Sequence, residues 1–150
     1  MNVPRQASTD PVVIETSAAG ADIEIVVPYT EWGLAEAVLD RAVALSRGLR
    51  AAVRLVAVHP IPYPQPFYCP PAQLNHLAGR LADLASRCPL AADPQVVLAR
   101  YWDEGFRRAL KPASIVVIGV HRRLWPTREE KLARLLTRDG HNVVLVDMEG

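Results

Sequence analysis

Residues 114–119, SIVVIG, form an apolar run too continuous for a half-exposed strand and too short for a buried helix. A strand of this kind needs cover on both faces, which parallel sheets flanked by helices provide. Similar runs recur: IEIVV at 23–27, closed by Pro28; AVRLVAV at 52–58; PQVVLARY at 94–101; and VVLVDM at the end. Between them lie segments with helical spacing. From Thr30, read as a cap, Leu34, Ala35, Val38, Ala42 and Leu45 form one stripe, and Gly48 ends that helix. Leu74, Leu77, Leu81 and Leu84 form a second stripe, with Asn75, His76, Arg80, Asp83 and Arg87 opposite. Asp103 is placed to cap a short helix, EGFRRAL. Thr127 and Glu130 have the spacing of a capping box, so a fourth helix should run from Arg128 to about Arg138.

Strand and helix alternating in this way imply parallel strands joined by right-handed crossovers. The expected fold is α/β, a single-domain, doubly wound, Rossmann-like five-stranded parallel sheet. One core suits 150 residues, a length at which folding hides roughly two thirds of the unfolded chain's surface. Residues 1–20 read as a mobile N-terminal arm and residues 21–150 as the α/β domain; PVVIE at 11–15 is apolar but short. The segment HPIPYPQPFYCPP after the second strand must be a loop, because its prolines donate no backbone hydrogen bonds and restrict the residues before them.

Composition excludes several classes of function. A net charge of +1 gives no footing for a polyanion, so no nucleic-acid partner is expected. No stretch approaches the ~18 apolar residues of a membrane span and no signal sequence opens the chain, so the protein is expected to be cytoplasmic, with no membrane partner. Cys69 and Cys88 lack metal-ligand spacing; both are expected to be reduced, and no metal site is expected. The chain carries no G-x-S-x-G, no P-loop, no HExxH and no HxGH, and no catalytic residue is assigned.

In doubly wound sheets, ligands bind beyond the carboxyl ends of the strands, where strand order reverses. That rule selects Tyr29, Thr30, Glu31 and Trp32 after the first strand, Val58 and His59 at the end of the second, Trp102, Asp103 and Glu104 after the third, and Gly119, His121, Arg122, Arg123 and Thr127 around the turn after the fourth, all on one rim. Trp32, Trp102 and Trp125 also fall at strand-to-helix junctions and are expected to gather on this rim and plug the crevice.

The order of elements over residues 23–147, with IEIVVPYTEWGLAEAVLDRAVALSR, VRLVAVHPIP, RYWDEGFRRAL, SIVVIGVHRR and NVVLVDM, resembles the universal stress protein family. The resemblance implies a strand order of 3-2-1-4-5, a homodimer and, in one branch of the family, ATP binding. ATP binders carry an aspartate after the first strand and G-x2-G-x9-G-[ST] after the fourth. Here Gly119 matches the first glycine, Arg122 stands at the second, and Leu132 and Ala133 replace Gly-[ST]; VVPYT has no aspartate. Glycine lets main-chain amides approach phosphate without an intervening Cβ, which leucine and alanine do not permit. No cofactor is therefore expected; ATP is left open, with most of its binding motif missing.

The resulting expectation is a non-enzymatic signalling or stress-adaptation module. It would dimerise through the terminal strand, Val143, Val144, Leu145 and Val146, whose exposed edge invites pairing with a second copy or another protein. Two alternatives stand beside it. One is a nucleotide or anion site built from Arg122, Arg123 and the helix start at Thr127, since helix N-termini and arginines both favour phosphate. The other is a nucleotide hydrolase.

Overall fold

The computed structural model describes residues 12–14, 23–47, 49, 51–88, 92–121 and 123–148. Six strands and four helices follow in the order β1 (Val12–Ile14), β2 (Ile23–Tyr29), α1 (Trp32–Ser46), β3 (Ala51–Pro60), α2 (Pro71–Arg87), β4 (Ala92–Ala99), α3 (Trp102–Ala109), β5 (Ile115–His121), α4 (Arg128–Arg138) and β6 (Asn142–Met148). The sheet order is β1-β4-β3-β2-β5-β6. Strands β2 to β6 are parallel and, counted without β1, have the order 3-2-1-4-5. The addition to the expected sheet is β1, which pairs antiparallel to β4, Val12 opposite Leu98 and Ile14 opposite Val96. The rest of the expected arm, and Gly48, lie outside the described residues.

Both faces of the sheet are covered, which explains the continuous apolar runs. Successive side chains of a strand alternate between faces. Ile25, Val27, Val53, Leu55, Ala57 and Val117 therefore pack beneath Ala35, Val38, Leu39 and Ala42 of α1 and Leu81 and Leu84 of α2. Val26, Val56, Val58, Val116, Ile118 and Val120 pack on the other face beneath Phe106 of α3 and Leu132, Ala133 and Leu136 of α4. The expected leucine stripe of α2 is in place, Leu81 and Leu84 fully buried and Leu74 and Leu77 at the margin of the same core. At 25 cal/mol per Å2, burying one such side chain stabilises the fold by roughly 1.5–3 kcal/mol relative to exposure. Gly105 permits close packing of α3: a Cβ there would stand 2.6 Å and 2.7 Å from the two Val58 methyls.

Three local expectations are corrected. Strand β2 does not stop at Pro28 but continues to Tyr29. Its ladder to β3 runs the whole way, while its register with β5 covers only Ile25 and Val26; Pro28, with no N–H to give, sits where the two central strands have parted. Thr30 does not cap α1, since the cap position is Glu31, whose side chain makes no capping bond. Asp103 does not cap α3, because the helix starts earlier, at Trp102 after Tyr101, and Asp103 falls in the first turn, where its charge still meets the positive helix end. The fourth helix is as expected: Thr127 Oγ1 accepts from the Glu130 amide at 3.3 Å. Its far end closes through Gly140, at φ +92°, with the Gly140 amide donating to the Thr137 carbonyl and the His141 amide to the Leu136 carbonyl, both at 3.1 Å.

Arg107 joins the two helices of one face by donating to both oxygens of Asp139, Nε at 2.7 Å and Nη2 at 3.0 Å. These bonds hold the Asp139 carboxyl below its ordinary range. A depressed folded value stabilises the protein above the unfolded pKa and ceases to do so as pH falls through the folded one. The Asp139→Asn variant should accordingly be less stable than wild type at neutral pH, and the difference between their urea midpoints should close as pH falls below about 4.

Candidate functional site

Parallel strands deliver their carboxyl ends to one rim, and strand order reverses between β2 and β5. The strands have parted by that point, so a crevice opens between Tyr29–Glu31 and His121, with the start of α4 above it. The chain's own side chains bridge this crevice. His121 Nε2 lies 2.9 Å from Glu31 Oε1. Arg128, in the first turn of α4, donates from Nη2 to the Thr30 carbonyl at 3.1 Å. The same guanidinium stacks over Trp102, 4.5 Å from the ring centroid, and Nε donates to Glu129 Oε1 at 3.2 Å. Glu31 and Arg128 are thus the residues that organise the rim, Glu31 as one of the strand-end positions that the sequence selects and Arg128 at the helix start where the sequence gathers its arginines. The signal for Arg128 was its place directly after a helix cap.

The start of α4 is poor ground for an anion. Thr127 already occupies the Glu130 amide, and the first turn carries Glu129 and Glu130. Glu129 is buried, so its carboxylate meets the positive helix end at low solvent exposure. An incoming phosphate would have to tolerate that charge. Arg123 is exposed and belongs to a different feature, a groove of about 680 Å3 between α4 and β6 that Val120, Arg134, Arg138, Val143 and Leu145 also line. Arg122 lies outside the described residues.

The other expected site residues are dispersed. Tyr29 packs on the α1 face and Val58 on the opposite face, beneath α3. His59, next to last in β3, is half-exposed and in register with Leu98. Gly119 lies inside β5, and its missing Cβ makes room for α1: an added methyl would stand 2.7 Å from Val38 Cγ2 and 3.1 Å from Leu34 Cδ2. Helix packing therefore accounts for a glycine at this position. The tryptophans do not gather as expected, because the sheet divides them. Trp32 sits on one face, donating to Glu36 at 2.9 Å beneath Arg80 and Arg87. Trp102 sits on the other, edge-on to Phe106 at 4.9 Å, and Trp125 is 81% exposed.

The proline-rich segment after β3 is held by Arg100, which donates to the carbonyls of Ile61 at 3.2 Å and Gln65 at 2.6 Å and lies over the rings of Tyr63 and Phe67. Cys69 is buried in this segment beside Ile61 and Leu98; both cysteines are free thiols. Among the described residues, no group of three or more His, Cys, Asp or Glu is placed to hold a metal ion, and no helix is long and apolar enough to cross a membrane.

No protein-family profile matches the chain, and no curated protein matches it. Solved structures do. A universal stress protein from Archaeoglobus fulgidus superposes with a TM-score of 0.62 at 15% identity, over 83% of this chain and 93% of that one. A protein from the universal stress protein family from Burkholderia pseudomallei superposes with a TM-score of 0.55 at 23% identity, over 82% of this chain and 94% of that one. The chain has the fold of these proteins, a Rossmann-like α/β sheet.

The packing account of Gly119 has a direct test. Val38 is β-branched and held in a helix, so it cannot swing away from an added methyl. The Gly119→Ala variant should lose about 1–3 kcal/mol of stability in urea unfolding. A neutral substitution would mean that this glycine is kept for something other than helix packing.

Proposed function

We propose that this chain is a universal stress protein-like module that acts as a homodimer in signalling or stress adaptation, without catalysis and without the glycine-motif ATP site. The observation that carries the reading is the state of the crevice at the switch point. Where a triphosphate would need bare main chain, Glu31–His121 and Arg128–Thr30 cross-link the two walls, and the first turn of α4 presents a buried carboxylate. Leu132 and Ala133, in the place of the last two motif positions, lie on α4 and are buried against the sheet. They are committed to the core and turned away from any ligand. The cytoplasm is the compartment that suits two reduced cysteines.

The dimer reading rests on β6. It ends the sheet beside β5, with Val143, Val144 and Val146 only partly covered and Leu145 53% exposed. A strand edge with free N–H and C=O groups and apolar flanks is stabilised by pairing, and a two-fold axis satisfies both copies at once.

Two measurements test these proposals separately. Thermal unfolding with millimolar ATP, ADP, AMP or phosphate should show no stabilisation. A ligand at a hundred times its Kd would add about 2.7 kcal/mol, a rise of several degrees that would favour the nucleotide-binding reading instead. Light scattering should give twice the chain mass at tens of micromolar protein, and Leu145→Asp, a change at an exposed position, should yield a folded monomer. A monomeric wild type would overturn the dimer.

A further inference from the structure

Among the described residues, seven large apolar or aromatic side chains are exposed, and five of them stand on one end of the molecule: Tyr63, Tyr68, Tyr101, Leu124 and Trp125. All five lie on segments that leave the carboxyl ends of β3, β4 and β5. Since those strands are parallel, the segments share a rim. Leu124 is 98% and Trp125 81% exposed, at the tip of the turn between β5 and α4. Over residues 119–128 the sequence has three arginines, Arg122, Arg123 and Arg128, and no carboxylate. The first turn of α4 follows with Glu129 and Glu130, and Arg128 is engaged by Glu129 and the Thr30 carbonyl, so among the described residues Arg123 is the exposed cation next in sequence to the most exposed apolar pair.

We infer that this rim is a peripheral contact surface for an anionic lipid bilayer, with Leu124 and Trp125 entering the interfacial layer and Arg123 meeting lipid phosphates. Tyrosine and tryptophan favour the depth where one side of a ring is apolar and the other wet, and basic residues beside them add attraction to anionic headgroups. The shape of the site supports this occupant. The turn projects as a tip, which a fluid boundary accommodates without a matching pocket. Leu124, an aliphatic side chain without a π-face, has no stacking role toward bases, and a single-stranded nucleic acid would ask for a basic track along its backbone. The lack of a membrane-spanning segment excluded a bilayer partner at the level of sequence; a surface contact needs no such segment.

The test is sedimentation of the full chain with phosphatidylcholine vesicles, with and without phosphatidylserine, read together with tryptophan emission. The wild type should sediment with the phosphatidylserine vesicles, less at higher salt, and its emission should shift to the blue as Trp125 leaves water. Leu124→Ala combined with Trp125→Ala should abolish both signals, and Arg123→Ala should weaken partition about fivefold, the size expected of one arginine at an anionic surface. Circular dichroism keeps these comparisons among folded proteins, and Leu49→Ala, an exposed leucine away from the rim, should bind as wild type does. The inference is overturned if the wild type stays in the supernatant or if the rim variants bind unchanged. It is also overturned if Trp125→Ala abolishes self-association, or if the rim retains a single-stranded oligonucleotide, while vesicles are ignored.

Discussion

Everything in this structure depends on covering the central strands on both faces. Strands β2, β3 and β5 are apolar at nearly every position, so neither face can be left to water. The chain supplies two helices to each side, α1 and α2 above one face and α3 and α4 above the other. Right-handed crossovers return the strands in parallel and so bring every strand-to-helix turn to the same end. The rim is therefore a consequence of core burial, and its residues are brought together from segments far apart in sequence. Close approach of helix to sheet sets the small-residue positions: Gly105 admits α3 and Gly119 admits α1.

That packing changes the meaning of a motif. Gly119 stands where a phosphate-binding glycine would stand, yet the space it leaves is occupied by Val38 and Leu34. The neighbouring crevice, opened by the parting of β2 and β5 near Pro28, is closed again by a histidine–carboxylate contact and by an arginine on a main-chain carbonyl. Helix α4 offers its positive end to its own Glu129. An arginine-rich turn next to a helix start has the composition of an anion site, but Arg128 is engaged by Glu129 and the Thr30 carbonyl, and Arg123, beside the tip of the turn, also lines the groove between α4 and β6.

Two surfaces remain open to partners, and they are physically different. The edge of β6 offers main-chain hydrogen bonds in a fixed direction with apolar flanks, which suits a second strand. The carboxyl-end rim offers separated amphipathic rings, a projecting leucine and positive charge, without an ordered array of backbone groups. The first favours a partner of defined register and the second a partner without one.

The sequence by itself determined the fold class, the boundaries of α4 and the stripe of α2, because hydrophobic period and capping chemistry are local and Thr127 lies three residues from Glu130. It also made the parallel order legible, since continuous apolar runs such as SIVVIG tolerate no open face. Only the tertiary structure decided which side chains of the rim meet. Glu31 and His121 are ninety residues apart in the chain, and no local pattern says that they meet. The tryptophans share a position in the strand-to-helix sequence, but the side on which each crossover helix packs sends Trp32 and Trp102 to opposite faces. Local chemistry fixes which elements form; the meeting of distant side chains follows from how a twisted sheet and its four helices share one volume, and that is a property of the whole chain.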